Sequence, residues 1–150
     1  MNCWNFIGKG VNSMETTNIT DAMREIPTIT CTLSVSFPDK EIAQKFTAEI
    51  NLLTEREPRV FKPRNTDKWI VDVVGMNDES WSLNEVVSKL FDSIENIKNQ
   101  VKELIIQYHG EAAIDIAVCE TDTYPVLGFS LETIQNICLY SASVGIDLVY

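Results

Sequence analysis

The chain has 150 residues, which is enough for one domain that buries a core without a disulfide or metal to hold it together. Twelve Lys and Arg residues stand against twenty-two Asp and Glu residues, giving a formal net charge of -10. This charge opposes binding to nucleic acid and to anionic membranes, and it favours a basic protein or a cation as partner. The same acidity could also serve only to keep the protein soluble.

No segment reaches the ~20 consecutive apolar residues of a membrane-spanning helix, and the first residues lack a signal-peptide pattern. We therefore expect a cytoplasmic protein.

Residues 1–27 have no regular pattern and are expected to form an irregular N-terminal arm, with a single α+β domain over residues 28–150. The domain opens with strand 28–37, because apolar residues alternate strictly with small polar ones over this segment.

Asp39 is a suitable N-cap for a helix over residues 39–54, where apolar residues recur at three- and four-residue steps. A basic loop follows over residues 59–68, and Val60–Phe61 could form a short strand within it. This loop could pair with the acidic segment 111–122, bind an anion or be an ordinary solvated loop. A second strand is expected over residues 68–74. Its alternation turns Trp69, Val71 and Val73 to one side and Ile70, Asp72 and Val74 to the other.

A long helix is predicted over residues 82–109. The S-x-x-E pattern from Ser82 to Glu85 predicts a capping box at its start, and Gly110 is a suitable residue to follow its end. About 27 residues of helix would measure about 40 Å, more than a short strand spans. The overhang would pack against the helix 39–54 or dock on a second chain, because its heptad-like apolar spacing also suits a homodimer.

A third strand is predicted over residues 112–119, and an acidic loop over residues 120–128. Ser130 is expected to cap a further helix that Gly145 ends. The last strand would turn alternate residues inward: Ile146, Leu148 and Tyr150. Helix-connected short strands favour a ferredoxin-like open-faced sandwich, with a four-stranded, mainly antiparallel sheet, all helices on one face and the long helix across it.

The polar face of this sheet is the candidate binding surface. It is expected to carry Thr30, Thr32, Ser34 and Ser36 from the first strand and one aspartate from each other strand, namely Asp72, Asp115 and Asp147. A basic or donor-rich partner would fit such a surface. The alternative is an ordinary solvated face, which antiparallel sheets often have.

Catalysis is less well supported. Three carboxylates could hold a metal ion, but no P-loop, G-x-G-x-x-G, H-E-x-x-H or G-x-S-x-G motif occurs. We expect no cofactor and no bound metal. His109 is the single histidine, so neither a zinc site nor a Cys–His pair is indicated. The cysteines are expected to be buried free thiols of a reducing compartment: Cys3, Cys31, Cys119 and Cys138.

Four segments carry a resemblance to a known family: T-L-S-V-S-F-P-D-K-E-I, W-S-L-N-E-V-V-S-K-L-F, F-S-L-E-T-I-Q-N-I-C and V-G-I-D-L-V-Y. From about residue 30 to the end, the chain resembles the uncharacterised bacterial family known as domain of unknown function 4279. The resemblance implies a bacterial, cytoplasmic, single-domain protein and supplies no activity. By analogy with small acidic bacterial proteins, we expect an immunity-type inhibitor of a basic toxin domain, possibly a nuclease. The alternatives are a ligand-binding or homo-oligomeric accessory domain and, third, a metal-dependent enzyme using the three aspartates.

Overall fold

The computed structural model describes residues 25–119 and 124–149, which contain five β-strands and four α-helices. The strands are β1 (Thr28–Phe37), β2 (Arg59–Phe61), β3 (Trp69–Glu79), β4 (Glu111–Cys119) and β5 (Ser143–Val149). The helices are α1 (Lys40–Leu53), α2 (Leu83–Asp92), α3 (Lys98–Gln107) and α4 (Leu131–Leu139). Most of the predicted N-terminal arm, the first part of the predicted acidic loop and Tyr150 lie outside the described residues.

The strands form one mixed sheet in the order β2-β3-β1-β4-β5. The predicted α+β class is confirmed, whereas the prediction of a four-stranded sheet is wrong. Residues Arg59–Phe61 pair antiparallel with β3, so the short segment suspected at Val60–Phe61 is a strand of its own. The sheet is mixed because β5 pairs parallel with β4, as a helix crossover between neighbouring strands requires.

The hydrophobic core lies between the sheet and the helices. The apolar residues of β1 are all 0% exposed, as the alternation predicted: Ile29, Cys31, Leu33, Val35 and Phe37. They pack with Phe46 of α1 and Leu90 of α2 in one cluster of buried residues. Each such side chain contributes roughly 1.5–3 kcal/mol by leaving water, so this strand is a main source of the fold's stability.

The prediction of one long central helix over residues 82–109 is wrong. The chain leaves α2 after Asp92, makes a short 3-10 turn over Glu95–Ile97 and then begins α3. At the break, the Ser93 hydroxyl donates to the carbonyl of Leu90 at 2.6 Å. The segment from Asp92 to Asn96 contains Asp, Ser and Asn, whose short polar side chains compete for backbone hydrogen bonds and weaken a helix interior.

The break sends the two helices to different neighbours. Helix α2 packs on β1 and β3 and contacts α4, whereas α3 packs against α1. Leu90 and Val101 are both 0% exposed, so the apolar stripe is used within the chain's own core. A homodimer through residues 82–109 therefore lacks the continuous helix on which that hypothesis relied.

Two of the three predicted helix starts are capped as expected. Asp39 accepts hydrogen bonds from the backbone N–H groups of Glu41 and Ile42, at 2.7 and 3.3 Å. Ser130 accepts from the N–H of Thr133 at 3.2 Å. Ser82 occupies the N-cap position without a side-chain cap, so no capping box forms there. The Ser80 hydroxyl donates to Glu85 instead, at 2.7 Å.

The helix ends also differ from the prediction. His109, with φ of 52°, takes the left-handed position after α3 that we expected for Gly110. Gly110 is required for another reason, because a Cβ there would lie 2.4 Å from Cγ1 of Val35. Ser141, also with φ of 52°, ends α4, so Gly145 does not end that helix and lies within β5.

Strand β5 is less covered than its sequence predicted. Ile146 and Leu148 pair with Ile116 and Val118, so they lie on the helix side of the sheet, yet each is 41% exposed. The reason is that β5 is an edge strand, which neighbours cover from one side only.

None of the described helices combines the length and apolar character needed to cross a bilayer.

Candidate functional site

The helices of the described chain cover one side of the sheet, and we call the other side the open face. The open face is set by the alternation of β1, since its apolar residues are buried under the helices. Paired residues of neighbouring strands point to the same side, so the register extends this face across the sheet. It carries all seven predicted site residues: Thr30, Thr32, Ser34, Ser36, Asp72, Asp115 and Asp147.

The register brings four of these residues together at the centre of the sheet. Asp72 of β3 lies directly opposite Ser34 of β1. Asp115 of β4 lies opposite Thr32, one step along the same face. Asp147 is placed farther out on the edge strand β5, opposite Ala117. The predicted set therefore forms a compact centre and an outlying aspartate rather than one tight cluster.

A side-chain hydrogen bond from Ser34 connects β1 to β4 at the centre of the open face. Its hydroxyl donates a hydrogen bond to Oδ2 of Asp115 at 2.6 Å, and the Ser34 residue is only 4% exposed. A hydrogen bond to a carboxylate is shorter and stronger than one between neutral groups. The bond fixes the orientation of the Asp115 carboxylate while Asp115 remains exposed to solvent. A partner would therefore meet a carboxylate that is already positioned.

Asp72 is the partly buried carboxylate of the face. Burial raises its pKa, the neighbouring Arg59 guanidinium opposes that rise, and the negative charge of Asp115 adds to it. Arg59 lies opposite Asp72 because β2 begins at this residue. Arg59 therefore lies in a strand rather than in the predicted basic loop. The suspected strand at Val60–Phe61, extended by one residue, was the sequence signal for its true position.

A β-bulge in β3 changes which residues of that strand point to the open face. The register shifts between the pair Leu33–Val74 and the pair Ser34–Asp72, so Val73 has no partner of its own. Val74 consequently lies on the helix side and packs against the core, which corrects the prediction that it points outward with Asp72. The bulge leaves Asp72 on the open face.

The three aspartates do not converge on a metal centre in the part of the chain that the structure describes. Over residues 25–119 and 124–149, no three His, Cys, Asp or Glu side chains lie close enough together to hold an ion. The distribution of the carboxylates over separate strands agrees with this, since a cation needs several oxygens converging at about 2.3–2.6 Å or less.

The three cysteines within the described residues are free thiols. Burial, and secondarily the charge of Asp115, raises the pKa of Cys31 to about 12, so it is a neutral core side chain at physiological pH. Cys119 and Cys138 are exposed, which corrects the expectation that they are buried. Cys3 lies outside the described residues.

The basic loop is held at the edge of the sheet. Lys68 forms an ion pair with Glu111 at the start of β4, as one of the interpretations of this loop expected. Lys62 lies 3.7 Å from Asp67 within the loop itself. Both lysines are thus paired with neighbouring carboxylates, whereas Arg59, opposite Asp72, is a positive charge on the open face that offsets part of its acidity.

Comparison with known proteins gives a family and no activity. No curated protein and no solved structure shows significant similarity to the chain. The model of a family described as Domain of unknown function (DUF4279) matches residues 18–150, which confirms the resemblance and extends it into the N-terminal arm. The match spans most of the sequence, and the chain therefore belongs to the DUF4279 family.

Proposed function

We propose that this domain acts by binding a basic protein through the open face of its sheet. The observation that carries the proposal is the exposed, pre-positioned carboxylate of Asp115 at the centre of a face that no described helix covers. Asp147 adds a second exposed carboxylate on the edge strand. Such a face suits a basic partner because opposite charges speed association and fix orientation.

The shape of the face also favours a macromolecule. A sheet surface edged by exposed Thr30 and half-buried Thr32 and Ser36 offers hydroxyl groups around the carboxylates. These groups can donate and accept hydrogen bonds with backbone or side chains of a partner. A broad, shallow surface of this kind resembles the polar contact areas of protein complexes more than the concave pockets that hold small substrates.

The most specific form of the proposal is an immunity-type inhibitor of a basic bacterial toxin domain, such as a nuclease. The net charge of -10 supports this form, since nuclease clefts are positive and an acidic surface can occupy them. An acidic inhibitor that covers such a cleft excludes the nucleic acid substrate. Protection requires no chemistry by the inhibitor itself.

Genes that adjoin those of family members supply the partner for a direct test. Each adjacent gene that encodes a basic toxin-like domain is co-expressed with this chain, and growth and complex formation are measured. We expect growth to be rescued and the dissociation constant to rise about tenfold or more between low and high salt, because charged surfaces are screened. Absence of binding to every such product, or binding that does not depend on salt, would contradict the proposal.

A further inference from the structure

The outer edge of β5 is the unprotected edge of the sheet. Within the described residues, β5 is outermost and pairs only with β4, so one side of its backbone is unpaired. The strand is seven residues long, pairs with β4 without a bulge, and contains no Lys, Arg or Pro. Proteins usually shorten such an edge or place charge on it, because a free edge pairs with other strands. The opposite edge, β2, is protected in this way, since it has three residues and begins with Arg59.

Exposed apolar side chains adjoin this edge on the helix side of the sheet. Strand β5 contributes three residues that are each 40–41% exposed: Val144, Ile146 and Leu148. Helix α4 contributes a stripe at three- and four-residue spacing, all of it exposed: Leu131, Ile134 and Cys138. The side chains of β5 and the stripe of α4 are called the β5 surface below.

Helix α4 turns its stripe towards the edge of the sheet. Its other side faces α2, because the Thr133 hydroxyl lies 3.0 Å from the Ser88 hydroxyl. The Tyr140 ring likewise stacks on the ring of Phe91 in α2. Helical spacing places the stripe on the side of α4 that is turned away from α2. Since β5 is the outermost described strand there, the stripe borders the exposed side chains of β5.

The β5 surface is poor in charge although the chain is strongly acidic. From residue 124 to residue 149, Glu132 and Asp147 are the only charged side chains. The whole chain carries twelve basic and twenty-two acidic residues. Depletion of charge is typical of the core of a protein interface. The β5 surface therefore suits an apolar partner that also offers a free strand edge.

The sequence of β5 is complementary to itself. A two-fold axis perpendicular to the sheet would pair β5 antiparallel with β5 of a second copy, and Ile146 would lie opposite Ile146 of that copy. In this register Val144 lies opposite Leu148, so apolar side chains meet apolar side chains. Asp147 lies opposite Gly145, so the one carboxylate of the strand does not face its counterpart. The same axis places both helix layers on one side and brings the two α4 stripes together.

We propose that the chain forms a two-fold symmetric homodimer through the β5 surface, which joins two five-stranded sheets into one continuous sheet. The outer edges of the joined sheet are the two short β2 strands, so assembly stops at two copies. A junction about 23 Å long and about 20 Å deep covers on the order of 450 Å² per copy, close to the roughly 1,000 Å² in total that a specific interface needs. We therefore expect a reversible dimer. The proposal does not rest on protein binding by the open face.

Sedimentation of the full chain without any partner tests the dimer. We expect a reversible monomer–dimer equilibrium between micromolar and millimolar concentrations. The dissociation constant should fall about threefold or more as salt is raised, because two copies with a net charge of -10 repel each other and salt screens the repulsion. This salt dependence is opposite to that of a basic partner on the open face, so the two proposals fail separately. A chain that stays monomeric throughout, or a dimer that salt dissociates, would overturn the proposal.

Three isoleucine-to-lysine variants locate the interface. Ile146→Lys places a charge on the two-fold axis, and Ile134→Lys places one in the α4 stripe. Ile106→Lys is the matched control, because Ile106 is 62% exposed on α3, away from β5. We expect the first two changes to raise the dissociation constant about thirtyfold or more, and the control to change it less than about threefold. Circular dichroism checks folding, and Ile134→Lys at an exposed helix position keeps the test valid if Ile146→Lys misfolds. Equal effects of all three would contradict the assignment.

A charge pair at Gly145 tests the register. A Cβ at Gly145 would lie 3.6 Å from its nearest neighbour, Oδ1 of Asp115, so the position has room for a side chain. In the proposed register the new side chain faces Asp147 of the second copy twice, once on each side of the axis. Gly145→Lys should therefore lower the dissociation constant about fivefold, and Gly145→Glu should raise it about fivefold. Equal effects of the two variants, or the reverse order, would overturn the pairing.

Discussion

Ser34 is the residue on which the geometry of the open face depends most. It is nearly buried, and its hydroxyl holds the Asp115 carboxylate across a strand boundary. Its place on the polar face was predictable from alternation alone. The hydrogen bond was not, because it depends on the β1–β4 register, which sequence alternation leaves open.

Replacing Ser34 by alanine should lower the free energy of unfolding by about 1 kcal/mol, since a hydrogen bond to a carboxylate is lost while exposed Asp115 can recruit water. Urea denaturation measures the change. Ser36→Ala is the matched control, because Ser36 forms no hydrogen bond through its side chain with the described residues, and it should change stability by less than about 0.5 kcal/mol. Equal effects of the two variants would show that the Ser34–Asp115 bond does not stabilise the fold.

Asp72 should give a measurable pH dependence. Its pKa is raised above the ordinary value of 3.8, chiefly by burial, so the folded state holds its proton more tightly than the unfolded state. The stabilisation is present below pH 3.8 and is lost as the pH rises through the folded-state pKa. Asp72→Asn should therefore gain stability relative to the native chain over that rise. A difference that falls with rising pH would instead mean that Arg59 dominates the environment of Asp72.

Elements with a strong local signal were predictable, and those decided by contacts between elements were not. The alternation of β1 and the N-caps Asp39 and Ser130 act locally, so the sequence alone identifies them. The break at Ser93 was missed because the apolar spacing continues through it. That spacing suits one long helix and two short helices equally well, and packing of α3 on α1 decides between them.

The edge strand β5 shows the same limit. Its alternation correctly indicates which residues lie on the helix side of the sheet, but it cannot indicate how completely a neighbour covers them. The extent of cover depends on the sheet order, which places β5 outermost. The parallel pairing with β4 likewise follows from the length and path of the α4 connection rather than from the strand's own residues.

Gly110 provides a stability test at the junction of α3 and β4. Gly110→Ala should lower stability by about 1–3 kcal/mol, because the new methyl group would lie 2.4 Å from Val35 and within 3 Å of Phe37. Gly128→Ala, with no atom within 4 Å of the new Cβ, is the control and should be close to neutral. Thermal denaturation of both variants measures the difference. A neutral Gly110→Ala would mean that the approach of α3 to β1 is less close than described.

At the scale of the whole molecule, negative charge is distributed over both sides of the sheet, and the proposed function depends on the part that lies on the open face. Carboxylates on the helices, such as exposed Glu49 and Glu103, contribute to solubility and long-range attraction. Those on the open face are expected to contact the partner directly. Net charge alone predicted a basic partner but not the surface used, because the sum of charges carries no positional information.

The most direct test of this account compares two variants that each remove two negative charges. Asp115→Asn with Asp147→Asn changes the open face, whereas Glu49→Gln with Glu103→Gln changes the helix side. For a partner found among the adjacent-gene products, calorimetry should show the dissociation constant raised about tenfold or more by the first pair and by less than about threefold by the second. Equal weakening by both pairs, or no weakening by the first, would show that the open face is not the binding surface.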